Sequence, residues 1–287
     1  MYPKPIERYF APSSVAETLA LRASYPQAVF LAGGQSLLPL MKARRIAAQT
    51  LIDINGLREL TDIEVGTDVA RVGALVRYRD AVEHPGLRMQ ANVLVDAALS
   101  VGDLQVRNRG TLVGSLCFGD LTGDIAPAAM ALGAHVRIMS STQGPRLVPV
   151  SSFKGEGLRR DEIVTHLEFR ITQGRPAGAY IKYGRVAQDR AIVSAAVHLV
   201  LGASNCIEQA AIVIGGVAPG PMFARSASQE LIGRVFGTET HSAVAAAASV
   251  EIVTQDDAMA SAIYRKQLIF LAVQRALQRS HVTRGGV

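Results

Sequence analysis

The chain has 287 residues, a formal net charge of +6 and an isoelectric point near 9.6. Hydrophobic residues make up 49% of it and tryptophan is absent. This composition indicates a globular protein with an aliphatic interior and excludes a disordered or fibrous chain. No apolar run approaches the roughly 18 residues of a membrane span, and residues 1–10 lack the apolar segment of a signal peptide. We therefore expect a cytoplasmic protein without a membrane span.

The few cysteines and histidines argue against a metal site. Cys117 and Cys206 are the only cysteines, and the six histidines show no metal-binding spacing. Two thiolates cannot hold an iron–sulfur cluster, which needs about four ligands. We predict two buried free thiols and no metal.

The positive charge could indicate nucleic-acid binding, but its distribution does not. The basic segments 42–45, 107–109 and 159–160 are short, scattered and free of interleaved aromatic residues. They match no helix-turn-helix or RNA-binding motif, so we expect no nucleic-acid partner. No nucleophile motif such as GxSxG and no Walker loop is present either, and no residue is assigned a catalytic role.

The first 55 residues predict a small α/β unit. Its elements are a helix near Ser14–Ala23, a strand at Val29–Leu31, a helix ending near Arg45 and a strand at Thr50–Ile54.

The most informative segment of this unit follows the strand at Val29–Leu31. The strand stops at Gly33 and Gly34, and Gln35-Ser36 open the next helix, with Ser36 as a candidate N-cap. Glycines let a phosphate approach the backbone, and the free N–H groups of a first helical turn bind anions. A tight strand-to-helix turn without a ligand explains the same residues equally well.

Residues 56–173 predict a second unit. Its elements are strands at Val69–Leu75, Ala134–Met139 and Glu162–Arg170, a short helix at Tyr78–Glu83 and a longer helix at Met89–Val101. The periodicity of two along the strands suggests that they are half buried. Loop residues at Gln173–Gly178 mark the end of the unit.

A second glycine-bearing segment, Arg107–Met130, lies within this unit. Thr111 and Ser115 supply hydroxyl groups, Gly114 gives access to the backbone, and Asp124 supplies a carboxylate before the helix at Pro127. A carboxylate beside a polar glycine-rich loop suits a ribose or ribityl hydroxyl. Asp124 could instead simply cap that helix.

The remaining residues predict a sheet followed by helices. The strands are Ile192–Leu201 and Ala210–Val217, and the helices are Ser226–Leu231, Ala243–Val253 and Met259–Arg279.

Taken together, AGGQS at 32–36 and TLVGS at 111–115, with Asp124 and Pro127 following, resemble the FAD-binding medium subunit of molybdenum hydroxylases, the carbon monoxide and xanthine dehydrogenase family. The resemblance continues through 180–189, 215–219 and 264–277 and covers essentially the whole chain. It implies an α+β, vanillyl-alcohol-oxidase-type (PCMH-type) FAD-binding fold. That fold comprises two α/β subdomains, 1–55 and 56–173, and a C-terminal sheet-and-helix subdomain, 174–287.

The resemblance also implies a non-covalent FAD and assigns residues to it. Asp124 would bond ribityl or ribose hydroxyls, Leu167 would lie near the flavin and adenine, and Lys182 would stand near the pyrimidine end of the isoalloxazine. Without the resemblance, Leu167 is an ordinary core residue and Lys182 a surface lysine. The diphosphate would be wrapped by Leu31, Ala32, Gly33, Gly34, Gln35, Ser36 and Leu37, and the phosphate and ribose held by Thr111, Gly114 and Ser115.

Two residues depart from the family pattern. The second loop usually has T-[IL]-G-G-N, whereas this chain carries Val113 and Ser115 in place of the first glycine and the asparagine. Val113 adds a β-branched side chain near the cofactor, and Ser115 offers one donor where asparagine has two. We expect weaker FAD binding than in typical relatives.

The resemblance finally implies partners and a function. A large molybdenum-pterin subunit and a small iron–sulfur subunit would complete a heterotrimer that can itself dimerise. FAD would pass electrons from the clusters to an external acceptor. Two alternatives stay open: a self-contained FAD oxidase or reductase of the same fold, and a non-catalytic assembly subunit that has lost FAD.

Overall fold

The computed structural model describes residues 4–120 and 122–282. Within these residues three β-sheets follow one another along the chain. No helix in the described part of the chain combines the length and the apolar character needed to cross a membrane.

The first sheet is parallel. Its elements, with the connecting helices, are β1 (Arg8–Phe10), α1 (Val15–Ser24), β2 (Val29–Leu31), α2 (Leu37–Lys42) and β3 (Thr50–Asp53). The strand order is β1-β3-β2, with β3 parallel to both neighbours. Parallel strands need crossover connections, which α1 and α2 provide. The ends of β2 and β3 therefore lie at the same edge of the sheet.

The second sheet is antiparallel. Its strands are β4 (Ile63–Val65), β5 (Val69–Gly73), β6 (His135–Ser140), β7 (Arg146–Pro149) and β8 (Glu162–Arg170), in the order β4-β5-β8-β6-β7. Among the described residues it is accompanied by a 3-10 turn at Arg58–Leu60 and by the helices α3 (Tyr78–Glu83), α4 (Pro85–Gln90), α5 (Asn92–Leu99), α6 (Leu104–Arg109), α7 (Leu112–Phe118), α8 (Ile125–Ala131) and α9 (Val150–Glu156). The helices α3 to α8 follow one another between β5 and β6.

One predicted helix is wrong. The helix expected at Met89–Val101 is interrupted, since α4 ends at Gln90 and Ala91 adopts φ −141° and ψ 44°. The preceding helix starts earlier than expected because His84 caps it by accepting from the Leu87 N–H, with Pro85 in the first turn. Proline is favoured there because that position needs no N–H donor.

The third sheet is antiparallel. Its strands are β9 (Arg175–Tyr183), β10 (Val193–Leu201), β11 (Ile207–Gly215) and β12 (Met222–Phe223), in the order β12-β11-β10-β9. The helices that follow are α10 (Arg225–Gln229), a 3-10 turn at Thr238–Thr240, α11 (His241–Glu251) and α12 (Ala262–Val282).

Both faces of the third sheet are buried. On one face, Ala195 and Val197 of β10 join a core with α11 and α12. On the other, Ala196 joins the core of the second sheet, where α5 and α8 pack. A Cβ atom on Gly215 would lie 2.5 Å from Ser194 Oγ and 2.6 Å from Pro127 Cγ, so glycine at this position lets α8 approach β11. The proposed division at residues 55 and 173 stays a prediction, and each sheet lies within one of its units.

A buried arginine joins α12 to the third sheet. Arg265 is 4% exposed. Its guanidinium donates to the carbonyl oxygens of Ile192 and Gly216 and pairs with Asp257. The sequence motifs at 215–219 and 264–277 meet at this contact, which gives them a role in folding.

We predict that Arg265→Met lowers the free energy of unfolding by about 2–4 kcal/mol, because two buried carbonyl groups lose their donor. Urea denaturation followed by circular dichroism measures this loss. Lys266→Met is the matched control, since Lys266 is exposed, and its effect should stay within about 0.5 kcal/mol. Equal effects of the two substitutions would contradict the assignment.

Candidate functional site

A cavity of about 540 Å³ lies between the first and second sheets. The loop between β2 and α2 lines one side and the start of α7 lines another. Apolar side chains such as Phe30, Ile54 and Ile163 form the rest of its wall, together with Tyr78. A mostly apolar cleft with a few polar groups is the usual form of a cofactor site.

The cavity brings together most of the predicted site residues. Leu31 ends β2 beside the cavity, whereas Asp124, Leu167 and Lys182 do not line it. The predicted residues that line it are Ala32, Gly33, Gly34, Gln35, Ser36, Leu37, Thr111, Gly114 and Ser115.

The loop after β2 offers a run of backbone donors. The N–H groups of residues 33–37 donate to no acceptor among the described residues. The next N–H along the chain, that of Leu38, donates to the Gly34 oxygen. The expected N-cap at Ser36 is wrong: Ser36 has helical φ −101° and ψ −46°, and its hydroxyl makes no capping bond. Unpaired N–H groups are costly unless a ligand or water accepts from them. Consecutive free N–H groups form an anion-binding concavity.

The second loop is capped by its own side chain. Thr111 precedes α7, and its hydroxyl accepts from the Gly114 N–H at 3.1 Å. Val113, the departure from the family pattern, is 1% exposed and belongs to the hydrophobic core, although it also forms part of the cavity wall. Ser115 lines the cavity.

The two loops touch through their backbones. A Cβ atom on Gly33 would lie 2.5 Å from the Arg109 oxygen and 2.8 Å from Gly110 Cα. Only glycine fits this contact without displacing the peptide opposite. The geometry of the cavity therefore depends on the absence of a side chain at position 33.

Sequence reasoning missed two polar residues at this joint. Asn55 donates to the Ala32 oxygen at 2.8 Å, and Arg77 donates to the Arg109 oxygen and to Asn55 Oδ1. One signal could have indicated Asn55: it is a polar residue just after β3, at the carboxyl edge of a parallel sheet where ligands commonly bind. Arg77 carries no comparable signal.

Behind the cavity wall, Asp124 and Lys182 form a buried ion pair. Their side chains are 9% and 7% exposed, and Lys182 Nζ lies 3.0 Å from Asp124 Oδ2. Tyr180 donates its hydroxyl to Asp124 Oδ1 at 2.7 Å, and Lys182 also donates to the Ser100 oxygen. Burial raises the pKa of Asp124, while Lys182 and Tyr180 oppose that rise. Asp124 does not cap α8, and Lys182 is not a surface lysine.

Tyr78 connects this pair to the cavity. It lines the cavity, and burial raises its pKa to about 12, with Asp124 close enough to add to the rise. The phenol is therefore neutral at physiological pH. Leu167 is fully buried in the core of the second sheet, and its contact with a cofactor stays a prediction.

The cysteine prediction is wrong in part. Both thiols are free, but Cys117 is exposed, because the last turn of α7 faces the cavity. Cys206 is half buried.

Comparison with known proteins identifies the family. The model for the FAD-binding domain in molybdopterin dehydrogenase matches residues 4–169, and the model for the carbon monoxide dehydrogenase flavoprotein C-terminal domain matches residues 178–280. The chain belongs to the FAD-binding medium subunits of the molybdenum hydroxylases.

Two relatives illustrate the similarity. The glyceraldehyde dehydrogenase medium chain of Sulfolobus acidocaldarius is 30% identical over 97% of this chain and 99% of its own length. The carbon monoxide dehydrogenase medium chain of Hydrogenophaga pseudoflava is 31% identical over 95% and 96%. A solved structure of the latter enzyme superimposes with a TM-score of 0.89 over 99% of both chains. The α+β, PCMH-type fold is confirmed.

The cofactor of this medium subunit is FAD, and the cavity fits it. The five N–H groups of residues 33–37, which have no acceptor among the described residues, suit the diphosphate, and the apolar wall suits the ring systems. The residue assignments within the site stay predictions.

We predict that Gly33→Ala weakens FAD binding by about 1–3 kcal/mol, because the new methyl group overpacks the contact between the loops. Flavin fluorescence titration of the full chain measures the dissociation constant. Gly56→Ala is the control, since a Cβ atom there would lie 3.6 Å from its nearest neighbour, the Pro12 oxygen. Unchanged affinity in Gly33→Ala would show that the loops do not need this close approach.

We also predict that Asp124→Ala weakens FAD binding by about 1–3 kcal/mol, as expected when a charged hydrogen bond is lost. Lys182→Met should weaken it as well. Because each residue is the other's partner, the double variant should lose at least about 0.5 kcal/mol less than the sum of the single losses. The same titration tests this, and strictly additive losses would mean that the two side chains act independently.

Proposed function

We propose that this medium subunit relays electrons from iron–sulfur clusters in a partner subunit to an external acceptor, within a molybdenum hydroxylase complex. The observation that carries the proposal is a cavity suited to FAD in a chain that lacks the ligands for the upstream centres. The whole sequence has two cysteines, and a [2Fe–2S] cluster needs about four ligands. When bound, FAD supplies the redox chemistry, and the protein supplies binding and electrostatics.

The chain's own residues would divide this work between them. Backbone N–H groups of residues 33–37 would hold the diphosphate, and Thr111, Gly114 and Ser115 at the start of α7 would hold phosphate and ribose. Asp124 would bond a ribityl or ribose hydroxyl, and Lys182 would stand near the pyrimidine end of the isoalloxazine. Because Lys182 is paired with Asp124 at 3.0 Å, the two charges largely cancel at a distance. The pair would therefore raise the flavin potential less than an isolated lysine would.

The partners follow from the relatives, which are named as medium chains or subunits of dehydrogenases and hydroxylases. We propose a large molybdenum-pterin subunit and a small iron–sulfur subunit, in a heterotrimer that can dimerise. The organic substrate would react in the large subunit, so this chain alone should not oxidise it. The cytoplasmic location expected from the sequence stays a prediction.

We predict that the purified complex with Gly33→Ala in the medium subunit loses FAD on dialysis under conditions in which the parent complex keeps it. Substrate should then still reduce the iron–sulfur clusters of the variant complex, but the acceptor should no longer be reduced. Electron paramagnetic resonance follows the clusters, and a dye acceptor follows turnover. The Gly56→Ala complex is the matched control and should behave like the parent. Adding excess FAD to the Gly33→Ala complex should restore acceptor reduction.

Three outcomes would contradict this function. Acceptor reduction at the parent rate by an FAD-free complex would show that electrons bypass this chain. Oxidation of an organic substrate by the isolated, FAD-loaded chain at ordinary enzymatic rates would favour a self-contained flavoenzyme. An isolated chain and a complex that both lack bound flavin would favour an assembly subunit.

A further inference from the structure

We propose that Asn55 and Arg77 are positioning residues that aim the backbone N–H groups of the loop after β2 at the FAD diphosphate. The proposal rests on FAD binding at this loop. Neither side chain lines the cavity, so both would act through the backbone.

Asn55 fixes the orientation of one peptide plane in the loop after β2. Asn55 Nδ2 donates to the Ala32 oxygen at 2.8 Å and more weakly to the Leu31 oxygen at 3.3 Å. The Ala32 carbonyl and the Gly33 N–H belong to the same planar peptide group and point in opposite directions. Holding the carbonyl toward Asn55 therefore turns the Gly33 N–H away from it. That N–H is the first of the five free donors.

The Asn55 amide is in turn oriented by Arg77 and Asp53. An asparagine amide can face either way, and its neighbours decide which end is the donor. Arg77 has only donors, and it bonds Asn55 Oδ1 at 2.6 Å. The Asp53 carboxylate accepts from Asn55 Nδ2 at 2.6 Å and from the Asn55 backbone N–H at 2.9 Å. With a pure donor on one side and a pure acceptor on the other, the amide nitrogen must face the Ala32 carbonyl.

Arg77 also links the two loops. Arg77 bonds Asn55 through Nη2, and its other terminal nitrogen, Nη1, donates to the Arg109 oxygen. The same oxygen lies against the backbone of Gly33. Next to it, the backbone of residues 76–78 pairs with residues 110–112, since Tyr78 donates to the Gly110 oxygen and Leu112 to the Val76 oxygen. Arg77 thus holds the second loop while it orients the residue that holds the first.

The test is FAD titration of the full chain after the flavin has been removed. Asn55→Asp keeps the shape and the bond to Arg77 but loses donation to Ala32, and Asn55→Leu loses donation without adding charge. We expect both to raise the dissociation constant by about tenfold or more. Arg77→Met should also raise it, and Arg77→Lys, which can reach only one of the two acceptors, should lie between Arg77→Met and the parent.

The chain provides a matched control pair far along the sequence. Arg175 donates to Asn205 Oδ1, and Asn205 Nδ2 donates to the Phe236 oxygen, so the same arginine–asparagine–carbonyl arrangement occurs in the third sheet. Asn205→Asp and Arg175→Met should leave the FAD dissociation constant unchanged.

A second readout separates positioning from general damage to the fold. The ³¹P resonances of bound FAD report on the diphosphate. They should shift in the Asn55 variants at saturating FAD, while the flavin absorption spectrum stays that of the parent. Partial unfolding would instead lower the number of binding sites and leave the dissociation constant and the ³¹P shifts of the remaining sites unchanged, which would overturn the proposal.

The other outcomes are equally decisive. A loss confined to Asn55→Asp and relieved by salt would indicate charge repulsion, not positioning, and would overturn the proposal. Parent-like affinity in Asn55→Leu and Arg77→Met would do the same. If an Asn55 variant does not fold, the two Arg77 variants decide. Failure of the parent chain itself to bind FAD would refute the proposed function and this proposal with it, whereas tight FAD binding by both the parent and the variants would refute this proposal alone.

Discussion

The backbone of Gly33 lies against the peptide that joins Arg109 and Gly110, at a distance that leaves no room for a Cβ atom. This contact brings the loop of a parallel sheet against the loop of an antiparallel one, and the cavity is the space that the two enclose. Asn55 and Arg77 bond carbonyl groups of the two loops, and the N–H groups of residues 33–37 in the first loop have no acceptor among the described residues. This arrangement supports the proposal that backbone groups bind the dianionic diphosphate.

The third sheet stabilises the same region from the other side. One of its faces packs against α11 and α12, and the other packs against α5 and α8. β9 also carries Tyr180 and Lys182, which bond Asp124 at the start of α8. A buried ion pair of this kind adds little net stability, because desolvation offsets the Coulomb attraction. Its value lies in fixing the position of a carboxylate beside a cofactor site.

The proposed function divides the reaction between subunits. The medium subunit offers a cavity for FAD, and the relatives in which the same fold occurs are subunits of oxidoreductases. Substrate chemistry would belong to the other chains. The names of the relatives refer to different substrates, such as carbon monoxide and glyceraldehyde, and this agrees with a medium subunit that takes no part in substrate chemistry.

Much of the fold was determined by local sequence. The strands β2 and β8 and the helix α3 occur at the predicted residues, because periodicity and glycine or proline boundaries are local signals. The glycine loops gave nine of the residues that line the cavity. The short edge strands β1 and β12 were not predicted, since two or three residues are too few to show a periodicity. The helices α6 and α7 were missed although Asp103 and Thr111 cap them locally. Tertiary structure alone decided that Lys182 pairs with Asp124, and that Arg77 reaches Asn55 and Arg109, because these partners are 58, 22 and 32 residues apart. Hydrogen-bond partners so far apart leave no periodic trace in the sequence; only the folded chain brings them within reach.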